Sequence, residues 1–142
     1  MKGKWKAATW TASLVAVVAG AYTFGMPAYR RANPDAAFSS LVGEQVPSGV
    51  RIVRYSSGFT DNFFHTTHFW LVEGDVSALR KLVEGTRFGR SDEDAAWELP
   101  DAASQFGLKL TPQDLAEGYE SDDDRNRWFL VLKGKQQAIY VL

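Results

Sequence analysis

Asn62 to Glu73 reads NFFHTTHFWLVE, and this stretch decides the fold. It is aromatic and β-branched and holds neither Pro nor Gly, so it reads as a strand. Ahead of it Val50 to Tyr55 (VRIVRY) alternates well enough for another strand, and Ser56-Ser57-Gly58 opens the loop that joins the two into a hairpin. Residues two apart in a strand share a face. Phe64, His68, Trp70 and Val72 therefore fall on one side, and Phe63, His65, Phe69 and Leu71 on the other. Large rings point both ways.

A second hairpin lies near the C-terminus. Arg127 to Leu132 (RWFLVL) is almost continuously apolar, as a strand covered on both faces is, and Lys133-Gly134-Lys135 turns the chain into a last strand from Gln136 to Leu142. HFWLVEG at 68–74 and RWFLVLKG at 127–134 resemble one another, but their lengths differ and their neighbours do not match, so they make no internal repeat.

Helices flank the hairpins. Asn33-Pro34-Asp35 combines a capping residue, Pro at the first helical position and an acid in the first turn, which predicts a helix to about Val42 that buries Phe38, Leu41 and Val42 and stops at Gly43. Gly74-Asp75 introduces a further helix with Val76, Leu79, Leu82 and Val83 at helical intervals, Arg80, Lys81 and Glu84 outward, and Gly85 as its stop. Ser91-Asp92-Glu93-Asp94 resembles a capping box for a short helix through Trp97, ended by Pro100. Thr111-Pro112-Gln113-Asp114 predicts one or two further turns toward Gly118. The order of elements predicts an α+β domain with a four-stranded antiparallel sheet, made of the two hairpins, and helices packed on one face.

The N-terminus carries an address. Lys2, Lys4 and Lys6 precede Ala7 to Ala28, 22 residues without a charge, a run that as helix spans about 33 Å. Lysines ahead of an apolar run stay on the cytoplasmic side, which places the following domain outside the cytoplasm. Residues 1–31 thus form a signal anchor or signal peptide and 32–142 a single extracytoplasmic domain. Trp5, Trp10, Tyr22 and Tyr29 resemble interfacial anchors and favour a retained single-pass helix. Ala19-Gly20-Ala21 fits a cleavage pattern and favours a secreted or periplasmic product cut near Ala21. A buried soluble helix is the third reading.

Charge and composition narrow the function. The first 31 residues hold five of the 16 basic side chains and no acid, which leaves eleven bases against 17 acids in the remainder, six negative charges in excess. That sign argues against a nucleic-acid partner, which would require Lys and Arg against phosphates. The chain has no Cys, which removes disulfides, thiolate metal sites and a thiol nucleophile. His65 and His68, the only histidines, fall on opposite faces of a strand, so H-x-x-H here does not predict a metal site. Asp122-Asp123-Asp124-Arg125-Asn126 opens like a calcium loop but has Arg127 where the turn Gly belongs and Lys133 where the bidentate Glu belongs. No nucleophile elbow, zincin motif or phosphate loop occurs.

The resulting expectation is a protein without catalytic chemistry, cofactor or metal, held in the membrane through residues 7–28. It is an envelope accessory protein that binds another protein outside the cytoplasm. If helices cover only one sheet face, Phe63, Phe69 and Leu71 are core and Phe64, His68 and Trp70 form the contact surface, with Trp70 its exposed anchor. In a second reading residues 86–109 fold over that face. The alternative functions are an acidic inhibitor or immunity-like protein acting on a basic partner, and a small hydrolase that uses His65 or His68 with a carboxylate.

Overall fold

Thr66–Glu73 forms a strand that pairs on both sides, and the sheet is built outward from it. In this computed structural model, which describes residues 13–59, 65–123 and 126–142, six strands make one sheet. They are β1 (Arg51–Phe59), β2 (Thr66–Glu73), β3 (Phe88–Arg90), β4 (Leu115–Ser121), β5 (Trp128–Leu132) and β6 (Gln137–Val141), in the order β1-β2-β6-β5-β4-β3. Every neighbouring pair is antiparallel. The α+β class and both hairpins of the sequence reading are present. The strand number is corrected from four to six, because β4 and its short neighbour β3 continue the sheet beyond β5.

Helices lie on both faces, which corrects the expectation of one covered face. They are α1 (described over 13–20), α2 (Met26–Ala32), α3 (Pro34–Val42), α4 (Val76–Arg80) and α5 (Asp92–Ser104). The register lines up one aromatic from each of five strands on the first face: Tyr55 opposite Trp70, Trp70 opposite Tyr140, Tyr140 opposite Phe129, and Phe129 opposite Tyr119. Phe38 of α3 meets this row edge-on, 5.4 Å from the Trp70 ring and 5.2 Å from that of Tyr140. Leu79, Leu82 and Val83 from α4 and the turn after it complete this core. A bulge between Ile52 and Arg54 lets Ile52 and Tyr55, three residues apart, face the same way.

The opposite face is aliphatic. Leu71, Ile139 and Leu130 lie side by side in register, and Ala95, Leu99, Ala102, Ala103 and Phe106 from α5 and its C-terminal end cover them. Both alternating sets of β2 are therefore core: Trp70 and Val72 are fully buried on one face and Leu71 is 4% exposed on the other. Burial at this level is worth roughly 1.5 to 3 kcal/mol for each large apolar side chain.

Several local expectations are met and several are altered. α3 spans the expected residues and stops at Gly43, whose φ of 81° suits glycine. Asn33 does not cap it through its side chain; its amide instead donates to Tyr29 O at 3.0 Å and closes α2. α4 starts as read, with Asp75 accepting from Ala78 N at 2.8 Å, but Val76 is 40% exposed. α5 continues through Pro100, which was expected to stop it. The Thr111 signature yields a single 3₁₀ turn, Pro112–Asp114, and the chain then enters β4.

A polar network ties the added strands down. Arg80 of α4 pairs with Glu117 of β4, the Tyr119 hydroxyl donates to the same carboxylate at 2.8 Å, and Arg90 lies over the Tyr119 ring at 5.3 Å. Asp92 at the start of α5 accepts from Arg90 Nε at 2.5 Å and from the Gly118 amide at 2.8 Å.

α1 and α2 form one helical run interrupted by a π-helical segment, Ala21–Gly25. Asn33 alone breaks the path between α2 and α3, with φ −131° and ψ 67°. The expected hinge at 32–34 is thus a one-residue corner, and α2 packs on β1 and α3. Among the described residues no helix is long and apolar enough to cross a membrane. Residues 7–12 of the expected span lie outside the described residues.

Candidate functional site

The surface expected from the sequence resolves into core. Phe64 lies outside the described residues. Trp70, expected as an exposed anchor, has no exposed surface, because α3 covers the face that was taken to be open. His68 is half-buried, 6.0 Å from the Trp70 ring and stacked on Tyr55 at 5.9 Å. Its Nδ1 lies 2.7 Å from the Tyr55 hydroxyl. Burial first, and then the positive charge of Arg30 on α2, lowers the His68 pKa. Neutral imidazole is thereby favoured, so the Tyr55 hydroxyl donates to Nδ1 and the ring proton sits on Nε2. This is a side-chain stack that joins β1 to β2.

His65 is exposed just before β2, and His68 faces Tyr55. Among the described residues no three His, Asp or Glu side chains are grouped to hold a metal ion. Of the acidic loop, Asp124 and Arg125 lie outside the described residues, while Asp123 pairs with Arg127.

A cleft of about 480 Å³ opens on the other face, between the second half of α5 and the ends of β2, β5 and β6. Half-buried Phe69 and Trp128 line its sheet side, and Glu98, Asp101 and Gln105 its helix side. The spacing 98, 101, 105 puts all three on one stripe of α5. Glu120 is Trp128's cross-strand partner, so both project from the same sheet face. Burial holds the Glu98 carboxyl above its ordinary range, and the charges of Asp101 and Glu120 push it further. Like charges converge here, and among the described residues no cation pairs with Glu98 or Asp101. Trp97, one position before Glu98, is 73% exposed.

The sequence reading did not assemble this cleft, since it ended the helix at Pro100 and so lost the stripe that runs past it. Extending the 3.6-residue period across Pro100 would have aligned Glu98, Asp101 and Gln105. Carboxylates, an amide and two rings in one lining can bind and orient a ligand, and the Ser104 hydroxyl, also in the lining, donates to the Asp101 carbonyl oxygen at 2.7 Å.

Compared with protein-family models, with curated proteins and with solved structures, the chain matches none.

Proposed function

We propose that the chain is a membrane-tethered domain outside the cytoplasm that acts by binding another protein rather than by catalysis. One observation carries the tether. Leu14, Val15, Val17, Val18, Tyr22 and Phe24 are each more than 60% exposed on the N-terminal helical run, while 25 apolar side chains among the described residues of the domain are buried. Contiguous apolar surface of that kind is rare on a soluble monomer and is expected of a segment surrounded by lipid. The uncharged run of 22 residues and the three lysines before it support the same reading and give its direction. Arg30 and Arg31, in the last turn of α2, would lie at the outer headgroups.

The experiment is a C-terminal reporter active only outside the cytoplasm, with intact mass measured on the membrane fraction. Signal with residues 1–21 retained supports the anchor. Signal with those residues lost replaces it with a secreted or periplasmic domain cut near Ala21, and an inactive reporter overturns the address.

A further inference from the structure

α5 carries five acids and no base over Asp92–Ser104. Asp92, Glu93 and Asp94 in its first turn face the positive end of the helix dipole and are favoured there. Asp101 begins its last turn, where the dipole favours cations and no base is present, and Glu98, three residues before it, has the charges of Asp101 and Glu120 beside it. Departures from local electrostatic preference of this kind concentrate at functional sites.

The aromatic groups of the cleft suit the charge that its carboxylates call for. Phe69 and Trp128 give ring surface inside it, and ring faces attract cations. Trp97 precedes Asp101 by one helical turn and is, among the described residues after α2, the most exposed large apolar side chain. Exposed Trp framed by polar groups is the residue type that most often anchors a protein contact. Arg54 lies over the Phe106 ring at 5.5 Å, near this end of α5, and does not line the cleft.

We propose that this cleft receives a basic side chain, arginine above lysine, from a protein partner, with Trp97 packed beside it at the rim. Arginine fits better because its planar fork can meet two carboxylates while its flat face stacks on a ring. The inference rests on the reading of the chain as a protein-binding domain and names its partner as a basic one. The excess of six negative charges over residues 32–142 steers such a partner toward the domain.

The test is calorimetric titration of the full-length protein, in non-ionic detergent, with a hexa-arginine peptide and with hexaglutamate. Saturable binding of hexa-arginine that weakens with salt is expected, and none of hexaglutamate. The Glu98→Gln/Asp101→Asn pair should weaken binding at least about tenfold, and Trp97→Ala should do so independently. A Glu44→Gln/Glu84→Gln pair makes the same change of net charge at exposed positions away from the cleft and should leave affinity within about twofold. Equal weakening by the two pairs, or no saturable binding, overturns the proposal. Binding is read whatever the topology reporter gives, so failure of the cleft and failure of the address are separate results.

Discussion

Ala95 of α5 occupies the space that a side chain on Gly118 would need: a Cβ on Gly118 would lie 2.2 Å from the Ala95 Cβ. The same glycine accepts a hydrogen bond from Ser91 N at 2.9 Å and donates one to Asp92 Oδ1 at 2.8 Å. Helix and strand are joined here by close approach and by the backbone together.

Gly118→Ala should therefore destabilise the domain by about 1 to 3 kcal/mol, the usual cost of overpacking. Urea denaturation checks it. A loss below about 0.5 kcal/mol, typical of surface sites, would mean that α5 does not hold this distance in solution.

Trp70→Ala should cost about 3 to 5 kcal/mol, as expected for removing a fully buried ring. Trp70→Phe should cost markedly less, because the indole Nε1 has no hydrogen-bond partner among the described residues and the phenyl ring removes a desolvated donor. Equal losses in the two variants would show that the indole N–H is satisfied after all.

His68 gives the domain a pH slope. Its pKa is lower folded than the unfolded 6.5, so the unfolded chain binds the proton more readily. Stability from this residue is complete above 6.5 and is lost as pH falls toward the folded value. Melting temperatures between pH 5 and 8 should fall more steeply on the acid side for the parent than for His68→Gln, and Arg30→Gln should reduce that slope. Parallel curves for parent and His68→Gln would refute the assignment.

Glu98 acts with the opposite sign. Its carboxyl is held above its ordinary value, so the folded state binds the proton more tightly, and ionisation costs stability as pH rises through the folded value. Its side chain is only partly covered, and the solvent that reaches it limits the effect to about 0.5 kcal/mol. Glu98→Gln should be slightly more stable than the parent at pH 7, with the difference vanishing near pH 4. A destabilised variant at pH 7 would indicate an unseen cation beside the carboxylate.

The strands that were legible in the sequence are those whose own residues favour strand. VRIVRY, HFWLVE, WFLVL and QAIYV all carry β-branched or aromatic runs, and each forms a strand. β4 reads LAEGYES, with two acids, a glycine and no apolar alternation. It is extended because Tyr119 joins the aromatic row, Glu117 meets Arg80, and Gly118 admits α5, three tertiary relations with no local signature. β3 has only three residues and depends on that neighbour. Without the later half of α5 one sheet face looks bare, and alternation within β2 does not say which; that α3 and α4 lie over Trp70 and α5 over Leu71 is a further tertiary relation with no local signature. His68 was placed correctly on the side of Trp70, since the period of two is a property of the strand itself.

The sheet order has a kinetic consequence. Among the described residues β6 follows the other five strands in the chain, yet it lies between β2 and β5 and is the strand that joins the β1–β2 hairpin to β5, β4 and β3. Neither half can bury its rows of side chains until that strand inserts, and contacts such as Glu73 with Gln137 close a loop of more than sixty residues. High contact order of this kind slows folding. The fold is therefore closed last at its centre: the two halves of the sheet are made before the strand that joins them, and during synthesis their inner edges stay unpaired until β6 arrives.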